Sequence, residues 1–566
     1  MDEDLKRSIR KFALDNARKY NGVPNMGSVI GKILGEHPEL KAELKKLTPE
    51  IKKICDEVRL MTVDEQVAEL QKTAPELLTE KRGPEEKKLK MLPELVKGKL
   101  VMRLAPSPSG VQHIGHAAVF SLSFLYCKEF DGKLILRFED TKAEDIYPPA
   151  YKMTEDILNW LCENRINQLA VQSDRLETYY DYAEKIISKG KAYVCTCSAD
   201  MFRNLSMKQK ACPCRDLPVK EQLARWDKMF VEYEPGQAVV RVKTDLSDPN
   251  PAMRDWPALR INHSVHPRTG TKYKVWPLMN FAVAVDDHEM GVTHTIRGKD
   301  HVDNAKRQQN IYDFFGWKAP VHSYLGKIKF EGIEVSKRKM KAAIERGEYS
   351  DWDDIRLPTV VALRRRGFQP GAFHAFAKDM GVGLNDKLVP AEDFFKSLEA
   401  HNRDIIDPIA NRYFFVWDPV KISVKNAPEQ TVQIPLHPDD ANRGSRTFQT
   451  KTDFYITHDD AATIKAKKLY RLKDCLNFTK EGGDYLFNSA EYDIFHKNGE
   501  ATFHWLPVKD TVSVEVLMPD GKLKKGLGES GLKALEVGTI VQFERFGFCR
   551  LDSKQKDKIV FWFAHK

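Results

Sequence analysis

At 566 residues, with 42% hydrophobic and 30% charged residues and a net charge of +9, the chain is too long for a single core and too apolar for disorder. It has no run of 18 apolar residues to span a bilayer, and its charged start, MDEDLKRSIRKF, has no signal-peptide core, so a cytoplasmic protein without membrane contact is expected. The mild basic excess permits a polyanionic partner such as RNA without requiring one, and nine cysteines in a reducing compartment read as metal ligands or free thiols.

Residues 1–98 read as a helical domain. Leu40, Leu44, Leu47, Ile51, Ile54 and Val58 fall at helical spacing, and a loop through Asn21, Gly22, Pro24, Asn25 and Gly27 interrupts the pattern. Its acidic and basic residues nearly balance, as on a solvated helical face. Pro84 to Pro93 reads as a linker.

Residues 99–195 alternate strands and helices. Val101, Met102 and Leu104 predict a buried strand. Pro106, Pro108 and Gly110 force a turn, and His113-Ile114-Gly115-His116 leads into a helix over Ala117–Phe130. Strand, tight turn and helix start is the geometry in which backbone N–H groups face an anion, and two imidazoles beside it can donate to phosphate oxygens. Lys133–Phe138 predicts a second buried strand, ending in Glu139, Asp140 and Thr141; Tyr151–Leu161 and Tyr179–Lys189 predict amphipathic helices. This alternation implies a parallel, doubly wound sheet, whose ligands lie beyond the carboxyl ends of its strands.

Residues 195–265 read as an insert. Cys195, Cys197, Cys212 and Cys214 form two tight pairs that can enclose a tetrahedral zinc, although the C-x-C spacing is looser than the commoner C-x-x-C. Residues 266–345 return to the sheet. Phe281–Val285 predicts a buried strand ending in Asp286, Asp287 and His288. Val292–Ile296 predicts another, ending in Arg297, Lys299 and Asp300. The acidic triplet could bind a metal, but caps and ion pairs are the favoured reading. Ser336, Lys337, Arg338 and Lys339 form a cationic loop before a helix, able to follow charge on a triphosphate. Residues 346–408 read as a helical connector with a basic patch at Arg364, Arg365 and Arg366. Residues 409–566 carry short β-branched runs separated by turns, the pattern of antiparallel β-barrels whose aromatics, such as Phe503, Trp505 and Phe543, are mostly core.

Taken in order, these stretches resemble the archaeal-type glutamyl-tRNA synthetases, a family of class I aminoacyl-tRNA synthetases. APSPSGVQHIGH matches the family's HIGH signature and VSKRK stands in the place of its KMSKS loop. DDHEMGVTHTIRGKDH, RYFFVWDPV, VQFERFGF and NGVPNMGSVIGKILGEHPEL resemble further family blocks, so the likeness spans the whole chain. It implies a multidomain α/β plus β fold: an N-terminal helical domain, a Rossmann-type catalytic domain with an acceptor-end-binding insert, a helical connector and C-terminal anticodon-binding barrels. It implies ligation of L-glutamate to tRNA-Glu, and in many archaeal relatives also to tRNA-Gln, through glutamyl-adenylate, with ATP and Mg²⁺, in a reaction that needs bound tRNA. His113, His116, Ser336, Lys337 and Arg338 would be catalytic. Pro106, Gly115 and Asp300 would join His113, His116 and Lys337 around ATP. Arg103, Ala105, Ser107, Glu139 and Arg297 would bind glutamate: Arg103 the α-carboxylate, Glu139 the α-ammonium, Arg297 the side-chain carboxylate. A monomer is expected.

Arg297 separates glutamate from glutamine. A guanidinium facing the γ-carboxylate favours glutamate, whereas glutamine would turn an NH₂ toward buried donors. Two positions depart from the family pattern: Met279, where many relatives have tyrosine, and Glu334, where KMSKS has its first lysine. A tRNA-binding paralogue with a decayed site is disfavoured by the intact HIGH and Ser336-Lys337. A tRNA-modifying glutamyl transferase is disfavoured by the C-terminal barrels, which such proteins lack.

Overall fold

The computed structural model describes residues 3–19, 22–37, 40, 44–79 and 88–566. The chain divides into two compact units, Met1–Lys88 and Leu89–Lys566. Among the described residues no helix is long and apolar enough to cross a membrane.

The first unit is helical, with α1 (Glu3–Lys19), α2 (Met26–Glu36), α3 (Leu44–Arg59), α4 (Val63–Thr73) and the single turn α5 (Glu76–Thr79). Ile51, Ile54 and Val58 lie on one buried face of α3, against Ile9, Ala13 and Ala17 of α1. Thr62 and Glu65 cap α4 reciprocally. The expected linker lies partly outside the described residues; Lys88 to Pro93 carries no helix or strand.

The second unit opens on β1 (Val101–Leu104), α6 (Ile114–Glu129), β2 (Lys133–Phe138), α7 (Ala150–Leu161), β3 (Gln168–Val171) and α8 (Leu176–Ser188). β1, β2 and β3 pair in parallel, with Arg103 opposite Ile135. Thr293 N–H donates to Val101 O at 3.0 Å, which sets β8 (His294–Gly298) along the free edge of β1. β9 (Val321–Leu325) pairs in parallel with β8. An antiparallel four-stranded meander lies between these halves: β4 (Ala192–Cys195), β5 (Val239–Val242), β6 (Pro257–Ile261) and β7 (Val275–Pro277), with α9 (Ala199–Met207) and α10 (Val219–Val231) between β4 and β5.

The expected strand at Phe281–Val285 is a helix instead, α11 (Met279–Glu289). Phe-Ala-Val-Ala-Val suits a strand buried on both faces, but a short apolar run cannot distinguish that from a helix buried all round. Here every residue from Phe281 to Asp287 is buried, and the alternating alanines let the neighbours approach. Asp286 and Asp287 therefore sit in the last turns of a helix, not at a strand end. The HIGH helix also begins earlier than expected, at Ile114.

After α12 (Val302–Phe315) and β10 (Ile328–Glu331) come α13 (Lys337–Glu345) and α14 (Val360–Arg366). α14 spans the distance between the HIGH turn and the C-terminal strands. Ile114 N–H donates to Pro358 O and Val360 N–H to Gln112 O at its start. At its end Arg366 donates to Phe563 O and Ala564 O, and Arg365 forms a forked pair with Asp552. Residues 411–565 form two seven-stranded sheets and a small hairpin, mostly antiparallel, with parallel pairings such as Thr511–Leu517 with Lys558–His565. Phe503, Trp505, Phe543, Phe548 and Trp562 are core, as expected.

Candidate active site

The carboxyl ends of β1, β2 and β8, the start of α6 and the start of α13 enclose a cavity of about 480 Å³. Ten of the expected residues line it: Arg103, Ala105, Pro106, Ser107, His113, His116, Glu139, Arg297, Ser336 and Lys337. Residues more than 200 positions apart in sequence meet here because the parallel crossovers return each strand's carboxyl end to the same edge.

The turn after β1 is fixed by close packing. Gly110 has φ +146°, and a Cβ there would come within 2.9 Å of the Trp352 ring. Glu139 N–H donates to Pro106 O, tying this turn to the end of β2. His113 caps α6: its Nδ1 accepts from Gly115 N–H at 3.1 Å, while His116 Nδ1 accepts from His113 N–H at 3.4 Å. A Cβ on Gly115 would press within 3.0 Å of the His113 ring. Burial, reinforced by Lys337, pushes the pKa of His113 down to about 4, and burial holds His116 well below its ordinary value. Both rings are therefore neutral near pH 7. With Nδ1 accepting, each carries its proton on Nε2, and both rings line the cavity. Two neutral N–H donors at a helix N-terminus make a site for phosphate oxygens.

Ser336 caps α13, and Lys337, its first residue, reaches Gln112 Oε1 at 3.5 Å. Burial lowers the Lys337 ammonium to about 8. Glu334 accepts from Ser336 N–H at 2.9 Å and from Lys339 Nζ at 2.6 Å, so this departure from the family pattern braces the loop. Met279 starts α11 and presents a thioether to the cavity.

Arg297 lies in β8, 7% exposed, donating to Gln308 Oε1 at 2.9 Å. Among the described residues no carboxylate lies within ion-pair distance of it. Burial first, then the nearby Arg103, lowers its pKa to about 10. A buried guanidinium without a counter-charge is costly unless an anion joins it. Arg103 is held through Nε by Asp287 at 2.9 Å. Glu139 accepts from Arg137 Nη2 at 3.1 Å.

Three expected residues stand apart. Asp300 is exposed, and its carboxylate packs against Gly298 outside the cavity. Arg338 is exposed and points away from the lining. Gly115 shapes the cap without lining the cavity. The acidic pair of α11 forms ion pairs, the favoured reading: Asp286 accepts from Arg175, Gln172 and Tyr179, and Asp287 from Arg103 and Arg137. Sequence reasoning missed Gln112, His301 and Arg137. An arginine inside the apolar run KLILRF was the available signal, since a buried charge requires a partner.

The four cysteine sulfurs of the insert all lie within 4.8 Å of one another. Cys195–Cys212 and Cys197–Cys214 are each separated by 3.8 Å. That is far beyond a disulfide, and it is the edge of about 3.8 Å that a tetrahedron of sulfurs at about 2.3 Å from zinc requires. Thr196 N–H and Arg225 Nη1 donate to Cys214 Sγ, the outer support a thiolate ligand needs. These residues fit a metal.

A second cavity, of about 740 Å³, lies between the insert and the starts of α11 and α12 and shares Met279 with the first. Arg203, Arg241, Arg254 and Arg307 line it, and the Arg241 guanidinium stacks 3.3 Å over the Phe202 ring.

Residues 99–408 match the family described as tRNA synthetases class I (E and Q), catalytic domain, and residues 410–492 and 502–552 match its anticodon-binding domains. The parallel sheet, the histidine-capped helix and the cationic loop facing it are thus the catalytic half of a class I aminoacyl-tRNA synthetase. Over its whole length the chain is 45% identical to the glutamate–tRNA ligase of Pyrococcus furiosus and 46% identical to that of Pyrococcus abyssi, and 41% identical over 99% of its length to that of Methanocaldococcus jannaschii; each relative is covered completely. The chain belongs to the class I tRNA synthetases for glutamate and glutamine.

Proposed function

We propose that this protein attaches L-glutamate to tRNA for protein synthesis, in two steps at the cavity of β1, β2 and β8. The observation that carries the choice of glutamate is the buried, unpaired Arg297. Among the described residues no carboxylate pairs directly with its Nη2 or Nε, Asp287 and Glu139 acting on it only at longer range, and a γ-carboxylate supplies the direct counter-charge, which a glutamine amide does not. Full-length identity near 45% to glutamate–tRNA ligases supports the same reading.

Arg103 receives the α-carboxylate, Glu139 the α-ammonium and Arg297 the side chain, with Ala105 and Ser107 forming the wall between them. His113 and His116 donate Nε2–H to ATP phosphates beside Pro106. Lys337 follows the charge that develops as pyrophosphate leaves, assisted by Ser336 as helix cap. The α-carboxylate attacks the α-phosphorus in line; the terminal ribose of tRNA then attacks the acyl carbon and AMP departs. The residues position reactants and stabilise charge rather than form covalent intermediates. Mg²⁺ accompanies the triphosphate. Arg338 and Asp300, both exposed, would meet tRNA or nucleotide only after closure.

The arginine-lined second cavity, with its Arg241–Phe202 stack, suits an unpaired acceptor end entering from the insert. Zinc held by Cys195, Cys197, Cys212 and Cys214 would staple that insert. The working division is a helical domain to residue 98, catalytic halves at 99–195 and 266–345 around the 195–265 insert, a connector at 346–408 and anticodon-binding sheets from 409. We place the protein in the cytoplasm as a monomer; light scattering should give a mass near 64.9 kDa.

ATP–pyrophosphate exchange tests the reading. It should require both glutamate and tRNA. Exchange with glutamine instead would move the protein to the glutaminyl branch, and unaltered charging by His116→Ala would remove the histidines from the mechanism. Charging tRNA-Glu and tRNA-Gln transcripts side by side decides whether tRNA-Gln is a substrate beside tRNA-Glu.

A further inference from the structure

The groups expected to grip the two ends of the amino-acid backbone do not stand alone. Arg103, for the α-carboxylate, and Glu139, for the α-ammonium, come from different strands and face different atoms of the substrate. Both are held by a single pair beneath the cavity floor. Arg137, fully buried in β2, donates from Nη1 to Asp287 Oδ1 at 2.6 Å and from Nη2 to Glu139 Oε1 at 3.1 Å. Asp287, at the end of α11, accepts at that same Oδ1 from Arg103 Nε at 2.9 Å. The chain Arg103–Asp287–Arg137–Glu139 is continuous and crosses from β1 through α11 to β2.

Its geometry leaves the substrate-facing atoms available. Among the described residues Arg103 is engaged through Nε alone, so both of its Nη groups can form the forked contact a carboxylate accepts. Glu139 is held by one oxygen, leaving the other to receive an ammonium. The charges also match the substrate. Arg103 pairs with Asp287, Arg137 with Asp287, Asp286 and Glu139, and Arg175 with Asp286, while among the described residues Arg297 has no carboxylate within ion-pair distance, so four guanidiniums stand against three carboxylates. One positive charge is left over in the floor, and glutamate, with two carboxylates and one ammonium, carries one negative charge. Glutamine, neutral overall, would leave the cation buried without a counter-charge.

We infer that Arg137 and Asp287 are positioning residues that set the separation and aim of the α-carboxylate and α-ammonium contacts, so that amino-acid recognition depends on a buried ion pair that itself touches no substrate. The inference rests on the proposed glutamate-binding roles of Arg103 and Glu139. It distinguishes this pair from general supports of the site, because the phosphate-facing group, His113, His116 and Lys337, is held by other contacts: the reciprocal histidine cap and the Gln112 bond.

The test uses the full-length protein and steady-state charging of tRNA, with Arg137→Lys, Asp287→Ala and the double variant. Lysine keeps the charge but cannot bridge two carboxylates as a planar guanidinium does. The wild-type protein is assayed first: failure to charge tRNA with glutamate would refute the proposed function itself, separately from this inference. Each single variant should raise the KM for glutamate by about tenfold or more while the KM for ATP stays within about twofold. The double variant should be little worse than the worse single one, since both act through one link. Parallel rises in both KM values, an unchanged glutamate KM or fully additive effects would overturn the inference. So would misfolding of both single variants, which would make the pair a structural anchor; if only one misfolds, the other decides.

Discussion

Lys337 Nζ lies 3.5 Å from Gln112 Oε1, so the first residue of α13 is joined to the turn that leads into the HIGH helix. The contact brings the cationic loop over the two histidines before any nucleotide is bound, and among the described residues this amide oxygen is the one acceptor that supports the ammonium.

That burial gives a pH dependence. Lys337 is lowered from its ordinary 10.5 to about 8. Without nucleotide it loses its proton as pH rises through 8, so kcat/KM for ATP should fall above that pH. Lys337→Arg, which stays protonated, should remove this alkaline limb even at lower overall activity. The stability effect has the opposite direction. The folded protein favours the neutral amine and the unfolded chain holds the proton, so this group's contribution to stability should rise between about pH 8 and 10.5. A kcat/KM profile flat to pH 10 would contradict the placement of Lys337.

Arg297→Ala should lower kcat/KM for glutamate by roughly 10²- to 10³-fold, the equivalent of about 3–4 kcal/mol for removing one partner of a buried charged contact. The KM for ATP should change little. Because Arg297 itself has no carboxylate partner among the described residues, the folded state should not be weakened, and its melting temperature should match or exceed that of the wild type.

Purified protein should carry close to one zinc per chain. Below about 0.3 per chain by metal analysis, the four-thiolate reading fails. Cys212→Ala should lose the metal, lower the melting temperature and raise the KM for tRNA more than that for ATP, since the cluster lies in the insert and away from the phosphate-facing residues.

Arg366→Ala tests the α14 link. Its guanidinium donates to Phe563 O and Ala564 O, and removing it takes a buried donor away from both carbonyls. A destabilisation of about 2–3 kcal/mol is expected, read as an earlier thermal transition. Arg365→Ala, at a partly exposed forked pair with Asp552, should cost less, about 1 kcal/mol.

Much of this site was legible in the sequence because its parts are local. The turn Pro106–Gly110, the His113–His116 cap and the ends of β1 and β2 each depend on a few adjacent residues, and they fall where their chemistry predicts. What was not legible depends on partners far along the chain. Phe281–Val285 reads equally as strand or helix until its neighbours are known, and α11 turned Asp287 toward Arg103 and Arg137, residues 184 and 150 positions away. Asp300 and Arg338 carry the right chemistry beside the right motifs, but the turn at Gly298 and the face of α13 direct them outward. Spacing along a motif does not reveal which side of a helix a residue occupies once that helix packs.

The most direct test of the whole account is charging of the chain's tRNA with radiolabelled glutamate and radiolabelled glutamine, supplied separately at equal concentration. The unpaired guanidinium of Arg297 predicts glutamyl-tRNA as the product, with glutamine excluded by a factor of roughly 10³ or more, as expected where a wrong substrate leaves buried groups unpaired. Equal charging of the two amino acids, or preference for glutamine, would contradict it.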